Sequence, residues 1–446
     1  MKRNALTYLL LPFLLALLVT ACKDDTLPAS PAEEEEAGSG VYVSVVVNTG
    51  GSNASRVPTP GENGDLPKQP GTGDENMVHD LNVFFFQGDD RINSDANTKI
   101  THCLYFSQDN NNLFGGIGQG DYDAVYYSAT EDVSDKLQIG ERYNVLVIAN
   151  AGDLSNNATL QTLGNLRDYQ VSETITDDGY FLMSSESDAF IDIKANTPAT
   201  AEPVSVKIER MTARVDIHLK ENGEYTPVDY PQDKAKITGM TIVNAYKEPS
   251  YLFKRTIQDA ASTPVYLGKE TTDDNGLANN YVADPQTIPS NKRDVDFDNY
   301  FPDMTWSSYQ YWDMPDENTD YTSTDQNGIT YYRLGYVQEN VMFANDIDTE
   351  IKKERLCTGI TFRIEYTNNT TFGSEHPITS TFYKTYWIRH ADDRDVNSTG
   401  VMEYAIVRNN IYQINVENIS GRENDLNITV TTKDWTKKTG STIEWD

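Results

Sequence analysis

The sequence predicts an all-β protein with minor helix, arranged as two tandem β-sandwich domains. Three observations point to this fold class. The composition includes 27 Tyr and 28 Gly together with many Thr, Val and Asn residues, which favour strands joined by polar turns. Apolar residues alternate with polar ones at a period of two in many short segments. These segments are separated by turn-rich connections, as in β-sandwiches.

Length and charge narrow the possible functions. The chain has 446 residues, of which 38% are hydrophobic, so it is long enough for two or more domains with their own cores. It has 68 acidic and 36 basic side chains and a formal net charge of -32. A nucleic-acid binder needs a basic surface to displace the counterions of the phosphates, so this balance argues against that class of partner.

Residues 1–21 are typical of an export signal. Lys2 and Arg3 form a short positive end, and the apolar run that follows is too short to span a membrane. The residues before Cys22 resemble a lipobox, which predicts cleavage between Ala21 and Cys22 and attachment of lipid chains, palmitate among them, to Cys22. The alternative is an ordinary signal peptide. Lipidation would anchor the protein to the outer membrane.

Residues 22–40 are predicted to form an acidic tether. They contain four consecutive glutamates and too few apolar residues to build a core. The segment Lys23-Asp24-Asp25 resembles a signal that directs some bacterial lipoproteins to the cell surface; the alternative is a solvated charge cluster. Loss of residues 1–21 removes Lys2 and Arg3 and no acid, so the mature chain is two charges more negative.

The first domain is predicted over residues 41–220. It begins with a strand at 41–48, whose valines 41, 43, 45 and 47 share one apolar face. A long loop rich in Gly, Pro, Asn and Asp follows at 49–76, and loops of this length inside a domain are usually functional or mobile. Leucines at 160, 163 and 166 predict one short helix within 157–169. Further strands are predicted at 81–86, 104–107, 142–149, 179–184 and 204–219, the last with a bulge or turn at 211–214.

The second domain is predicted over residues 221–446, with the division near 219–225. Its loop region at 273–327 is acidic and includes an aromatic cluster at 300–312. That cluster is either a packed loop core or a platform on which sugars stack. Strands are predicted at 237–244, 331–337, 359–366, 381–388, 410–419, 426–432 and 441–445.

Motifs for catalysis and metal binding are missing from the sequence. It contains no His-Glu-x-x-His, no Gly-rich phosphate loop and no Cys-x-x-Cys pair. The acid-rich loops at 273–276 and 320–327 lack the ligand order of an EF-hand, so solvated turns are favoured over calcium sites. We therefore predict a protein that is not an enzyme and needs no cofactor or metal. Cys103 and Cys357 are predicted to be small buried hydrophobes.

Several segments have a distinctive sequence, of which the most specific is Val407-Arg408-Asn409-Asn410-Ile411-Tyr412, followed by an alternating strand. Three others are residues 430–435, with their tryptophan, residues 442–446 and residues 204–215. Together these segments resemble the fimbrillins, the FimA-like subunits of type V pili of Bacteroidetes, and within them the shaft pilins of minor fimbriae. Residues 430–435 resemble the family's penultimate strand, 442–446 its final strand, and 204–215 the strand that closes its first domain.

The resemblance implies transthyretin-like sandwiches and assembly by donor-strand exchange. An arginine-specific, trypsin-like protease would cut between Arg56 and Val57, in the loop behind the first strand. The strand at 41–56 would then leave, and a neighbour's C-terminal strand would replace it. Arg56 is the only basic residue between Lys23 and Lys68, although an incidental loop arginine is the alternative. Repeated head to tail, this contact makes a filament with other copies and accessory fimbrial subunits.

The donor is predicted within residues 426–446. Its alternating apolar residues are Leu426, Ile428, Val430, Ile443 and Trp445. The alternative is that these strands complete their own domain. This alternative is stronger for residues 426–432 than for the last residues of the chain. The expected function is a structural subunit of a surface fimbria that supports adhesion. The competing function is a surface lipoprotein or tip adhesin that binds glycan through 300–312, and an enzyme is the least favoured.

Overall fold

A computed structural model describes most of the chain from residue 40 onwards. The described residues are 40–49, 73–91, 94–117, 124–186, 188–201, 203–243, 245, 249–253, 256–258, 264–266, 271–272, 278–279, 314–315, 321–324, 328–340, 357–369, 377–389, 404, 406–422, 427–433 and 442–443. Within these ranges no helix is both long and apolar enough to cross a membrane.

The first half of the described chain contains eleven strands and a short helix. The helix α1 (Leu163–Asp168) is capped by Thr162, whose hydroxyl accepts a hydrogen bond from the Asn165 amide. A single-turn 3-10 helix spans Asp74–Asn76. The strands are β1 (Tyr42–Asn48), β2 (Asp80–Phe86), β3 (Ile100–Ser107), β4 (Leu113–Ile117), β5 (Ala124–Ser128), β6 (Glu131–Asp132), β7 (Arg142–Ala149), β8 (Gln170–Val171), β9 (Met183–Ser185), β10 (Ala189–Asp192) and β11 (Pro203–Arg210).

Ten of these strands form one sheet that folds over a single core. Their order is β3-β2-β7-β9-β11-β1-β5-β4, with β10 paired to β7 and β6 paired to β1. The strand β11 joins the two layers, because residues 203–207 pair with β1 and residues 208–210 pair with β9. Side chains from both layers, such as Val45 and Val206 on one side and Val83 and Val147 on the other, belong to the same buried cluster. The first half is therefore a β-sandwich.

The strands β2 and β7 are buried on both faces. Along β2, Val83 and Phe85 point into the sandwich core, whereas Phe84 and Phe86 join a second cluster on the outer face. Leu163 and Leu166 of α1 belong to that outer cluster. The helix expected from the leucine spacing is thus present, and it covers a sheet face that would otherwise expose two phenylalanines.

The second half of the described chain is also built from strands. A second 3-10 turn spans Glu221–Gly223. The strands are β12 (Thr212–His218), β13 (Glu224–Tyr225), β14 (Lys234–Val243), β15 (Ser250–Tyr251), β16 (Thr256–Gln258), β17 (Pro264–Tyr266), β18 (Thr271–Thr272), β19 (Ala278–Asn279), β20 (Tyr321–Thr324), β21 (Thr330–Gln338), β22 (Gly359–Asn368), β23 (Ile378–Trp387), β24 (Ile411–Ser420), β25 (Asn427–Lys433) and β26 (Thr442–Ile443).

Two sheets enclose the second core. One has the order β20-β21-β12-β24-β25-β26 and the other has the order β13-β14-β22-β23. Val215 and Ile414 from the first sheet share a buried cluster with Ile237 and Phe362 from the second. The all-β fold with minor helix that the sequence predicts is therefore confirmed, with a sandwich core in each half.

The chain passes from the first sandwich to the second at Met211. Residues up to Arg210 pair within the first sheet, and from Thr212 onwards the strand β12 pairs with β21 and β24. Met211 itself is fully buried, and its amide donates to the carbonyl of Leu182. The change of sheet therefore falls at the bulge or turn expected at 211–214, and residues 212–218 pair within the second sandwich.

Candidate functional site: the groove filled by the first strand

The first strand lies inside the first sheet. On one side β1 runs parallel to β11, with register Ser44↔Pro203 to Asn48↔Lys207. On the other side it runs antiparallel to β5 and, nearer its start, to β6. Removal of β1 would therefore open a groove between β11 and the β5–β6 edge, with unpaired backbone on both walls.

One face of β1 is fully buried in the first core. Val41, Val43, Val45 and Val47 are at most 2% exposed. Burial of one such side chain contributes about 1.5–3 kcal/mol, so the four together contribute about 6–12 kcal/mol as an upper estimate. This is as large as the whole stability of a typical domain, about 5–15 kcal/mol. The groove is therefore not stable when empty and needs a strand of alternating apolar pattern to fill it.

Backbone hydrogen bonds hold both ends of β1. Near its start, the amide of Val133 donates to the carbonyl of Val41 at 2.8 Å. Just past its end, the amide of Thr49 donates to the carbonyl of Ala124 at 3.2 Å, and the Thr49 side chain is buried. The strand is thus fixed up to residue 49, directly before the segment 50–72 that contains Arg56.

The chain that follows this segment is held by a buried charge cluster. Arg214 on β12 donates to both carboxylate oxygens of Glu75, at 2.9 and 2.8 Å, and to those of Asp216, at 2.9 and 3.0 Å. Arg210 donates to the backbone carbonyl of Glu75 at 2.8 Å, and the hydroxyl of Tyr336 donates to its carboxylate at 2.6 Å. Glu75 therefore links the chain that follows residues 50–72 to the second sandwich.

The charges of this cluster set the ionisation of Glu75. Burial acts to raise the pKa of its carboxyl group, but the guanidinium groups of Arg214 and Arg210 and the Tyr336 hydroxyl together hold the pKa below its usual value. Burial, reinforced by the negative charge of Glu75, raises the pKa of Tyr336 well above its usual value. Glu75 is thus a carboxylate and Tyr336 a neutral hydrogen-bond donor at neutral pH.

The segment 407–412 adds further contacts to the same junction. Arg408 is fully buried and donates to the carbonyls of Leu252 and Tyr251, at 2.8 and 2.7 Å, and to the carboxylate of Glu339 at 3.0 Å. Since β15, which contains Tyr251, pairs with β8, Arg408 links the second half of the chain to a strand of the first. The buried guanidinium of Arg408 therefore has a structural role at this junction.

The asparagines and the tyrosine of the segment shape the turn before β24. Asn409 has a φ of 58°, and its side chain accepts a hydrogen bond from Arg210 at 2.8 Å. The side-chain amide of Asn410 donates to the carbonyls of Val407 and Arg408, both at 3.1 Å. The Tyr412 hydroxyl accepts a hydrogen bond from the Val407 amide. The positive φ explains an asparagine at 409, because asparagine tolerates this conformation better than most residues.

The C-terminal strands β25 and β26 lie at one edge of the six-stranded sheet in the second sandwich. The strand β25 pairs with β24 from Gln413↔Lys433 to Ser420↔Asn427, and β26 pairs with β25 only at Val430↔Ile443 and Thr431↔Thr442. In the described part of the chain these strands pair within the second sheet and not with β1, β5 or β11. Ile428, Val430 and Ile443 thus belong to strands of a different sheet from the groove, and β25 pairs with β24 along its own sheet.

Other predicted site residues lie outside the described residues. These are Ala21, Cys22, Arg56, Val57, Leu426, Trp445 and the aromatic cluster at 300–312. Of the two remaining cysteines, Cys357 is buried, and burial raises the pKa of Cys103 to about 12, so its thiolate is suppressed. No sequence pattern singles out Glu75 or the polar residues Ser128, Ser134 and Asn196, which also bond to other parts of the chain.

The fold and the groove define a class of protein: an all-β chain of two sandwiches whose first strand is an internal strand of the first sheet. Residues 379–441 match the family model described as major fimbrial subunit protein type IV, fimbrillin, C-terminal. The resemblance to fimbrillins is therefore confirmed over residues 379–441. The match does not specify the minor-fimbria branch.

Solved structures with similarity to the chain include two fimbrial proteins. A fimbrial assembly protein from Parabacteroides distasonis is 11% identical, with a TM-score of 0.41, over 90% of this chain and 99% of that one. The tip fimbrial protein Mfa3 from Porphyromonas gingivalis, with C-terminal truncation, is 10% identical, with a TM-score of 0.39, over 91% of this chain and 100% of that one. No curated protein matches the chain.

The family match associates residues 379–441 with major fimbrial subunits, so it favours a structural role in a fimbria.

Proposed function

We propose that the chain is a fimbrial subunit that polymerises by donor-strand exchange after a proteolytic cut between Arg56 and Val57. It is exported as a lipoprotein, anchored to the outer membrane through Cys22 before maturation, and it supports adhesion once it is assembled. The observation that carries the proposal is the position of β1: an internal strand with a buried four-valine face, directly before the segment that contains Arg56.

The geometry supports a requirement for the cut. While the chain is intact, the covalent link between β1 and the rest keeps the strand at a high effective concentration beside its groove. A strand from another copy cannot compete under these conditions. Once the link is cut, β1 is held only by its contacts, and a neighbour's strand of similar pattern exchanges with it by β-augmentation.

The charge cluster around Glu75 supports a fixed boundary between the N-terminal segment that leaves after the cut and the chain that stays folded. The chain from Asp74 onwards is fixed by Arg210 and Arg214, so departure of residues before the cut does not release the start of β2. The two sandwiches stay joined while the first strand is exchanged.

The test is digestion of the chain lacking residues 1–21 with an arginine-specific protease. The expected product begins at Val57 and forms ladders on a denaturing gel run without boiling. The matched control is Arg56→Lys, which keeps the charge but removes the cleavage site, and it stays monomeric. Ladders from the Arg56→Lys chain, or a wild-type chain that is cut at Arg56 yet forms no oligomers at any concentration, would contradict the proposal.

A further inference from the structure

The walls of the groove lack backbone partners for β1 at three places. On one wall, β5 ends at Ser128 and β6 begins at Glu131, so the edge is interrupted between them. Beyond Asp132, where β6 ends, the amide of Val133 donates to the carbonyl of Val41, but the amide of Val41 meets a side chain instead of a backbone carbonyl. On the other wall, the ladder with β11 begins only at Ser44↔Pro203, so the start of β1 extends past it. Each interruption leaves an amide of β1 facing a gap in the wall.

Serine hydroxyls fill the two interruptions on the first wall. The amide of Val45 donates to Ser128 Oγ at 2.9 Å, and this hydroxyl donates to the carbonyl of Ala129 at 2.8 Å. The amide of Val41 donates to Ser134 Oγ at 2.8 Å, and this hydroxyl donates to the carboxylate of Asp132. In both cases the second hydrogen bond orients the hydroxyl so that its lone pair faces the strand.

The side chain of Asn196 fills the gap on the second wall. Its Oδ1 accepts from the amide of Tyr42 at 2.7 Å, and its Nδ2 donates to the carbonyl of the same residue at 2.9 Å. The backbone of Asn196 also exchanges two hydrogen bonds with Gly40, at 3.2 and 2.9 Å. The side-chain carboxamide of Asn196 presents an acceptor and a donor in the same arrangement as a peptide group. It therefore takes the place of the backbone of a neighbouring strand.

We propose that Ser128, Ser134 and Asn196 recognise the backbone of whichever strand fills the groove, and that they hold the replacing C-terminal strand of a second copy as they hold β1. The second part of this inference rests on the proposed donor-strand exchange. All four contacts are made with N–H and C=O groups, which every residue except proline supplies in the same places. The three residues thus select for an extended backbone, and the valine pockets select for the apolar side chains.

The inference explains how one groove accepts two different sequences. The polar positions of β1 and those of residues 426–446 differ, but neither 41–49 nor 421–446 contains a proline. Proline at the position of Val41, Tyr42 or Val45 would remove the amide that the groove binds. Any strand that fills the groove must therefore have an N–H group at these three positions.

The first test uses the intact chain and does not depend on the cut. Amide hydrogen exchange of residues 41–49 is followed by mass spectrometry in Ser128→Ala, Ser134→Ala and Asn196→Ala. Loss of one hydrogen bond should raise the exchange of the strand about fivefold, and loss of the pair made by Asn196 should raise it about tenfold or more. Ser134→Thr, which keeps the hydroxyl, and Ser44→Ala, on the outer face of β1, are the matched controls and should leave exchange unchanged. Unchanged exchange in all three alanine variants would overturn the inference.

The second test uses the full chain nicked at Arg56 and two labelled peptides, residues 40–49 and residues 427–446. Asn196→Ala should weaken the binding of both peptides by a similar factor. N-methylation of Tyr42 in the first peptide should weaken its binding about fivefold in the wild type and leave it unchanged in Asn196→Ala, a coupling that general destabilisation would not produce. Equal effects of the methyl group in both proteins would overturn the inference. If the second peptide does not bind the wild type while the first behaves as stated, donor-strand exchange fails and backbone recognition of β1 stands.

Discussion

The guanidinium of Arg214 holds the carboxylate of Glu75 at 2.8 Å, and both side chains are only 4% exposed. The pair joins a 3-10 turn of the first half to the first strand of the second sandwich. It lies directly after the segment that contains Arg56, so it marks where the fixed part of the chain begins. A buried pair of this kind costs desolvation, and its loss leaves a buried charge without its partner.

We predict that Glu75→Gln destabilises the chain strongly. The substitution leaves the buried guanidinium of Arg214 with one carboxylate instead of two, and the free energy of unfolding should fall by about 3 kcal/mol or more. Asp74→Asn removes the same charge from the neighbouring exposed position and should change stability by less than about 0.5 kcal/mol. Denaturant unfolding of the two variants and the wild type measures the difference. Equal stabilities of the two variants would show that the pair does not join the halves.

The stabilisation by Glu75 should also depend on pH. The pKa of Glu75 is lowered in the folded protein from a usual value of 4.5, so the folded state favours the ionised form. Its contribution is therefore fully present above about pH 4.5 and is lost as the pH falls through the lowered pKa. The difference in unfolding free energy between wild type and Glu75→Gln should shrink as the pH falls below this value. A gap that grows on acidification would contradict the assignment.

The buried face of β1 predicts a clear contrast between neighbouring valines. Val45→Ala removes two methyl groups from a fully buried site and should lower the free energy of unfolding by about 1.5–3 kcal/mol. Val46→Ala makes the same change on the outer face, where the residue is half-buried, and should cost less than about 1 kcal/mol. Thermal or denaturant unfolding of the uncut chain checks both values. A larger loss for Val46→Ala would mean that the outer face, not the core, holds the strand.

The local elements were predictable where one residue pattern decides the structure. The alternation at 41–48 gives β1, and the apolar run at 142–149 gives β7 with the bounds expected. The strands β4 and β5 were missed because each has only five residues and β4 contains Gly115 and Gly116, both with positive φ, which break the pattern. The strand expected at 179–184 begins only at Met183, since Gly179 adopts a φ of 83° in a turn.

The long-range relations were not predictable from the sequence. The parallel pairing of β1 with β11 joins segments about 160 residues apart, and no local pattern encodes it. Charged side chains are ordinarily exposed, whereas Glu75 and Arg408 are both buried with partners from distant segments. Ser128 and Asn196 have their role only because the strands around them end where they do.

Arg408 should contribute more to stability than an exposed cation does. Arg408→Met would leave two backbone carbonyls and the mostly buried carboxylate of Glu339 without their donor, and should cost about 3–5 kcal/mol. Lys236→Met removes an ion pair with Glu224 whose side chains are 46% and 64% exposed, and should cost less than about 1 kcal/mol. Denaturant unfolding compares the two. A similar small loss in both variants would show that Arg408 is dispensable for the junction.

The C-terminal strands predict separate effects on folding and on assembly. A chain that ends at residue 433 keeps the pairing of β25 with β24 and loses β26, which pairs at only two positions. Its free energy of unfolding should stay within about 1 kcal/mol of the full chain, because the described part of the lost segment pairs at only two positions. If the donor lies in 434–446, this chain should be cut at Arg56 normally but should form no oligomers.

A chain that ends at residue 426 is the comparison that separates the two candidate donors. It also loses β25, which leaves β24 as an unprotected edge strand, so its stability should fall measurably below that of the chain ending at 433. If the chain ending at 433 still polymerises after the cut while the chain ending at 426 does not, the donor is β25 with Ile428 and Val430. Polymerisation of both truncated chains would exclude a C-terminal donor altogether, because neither retains Ile443 or Trp445 and the shorter one also lacks β25.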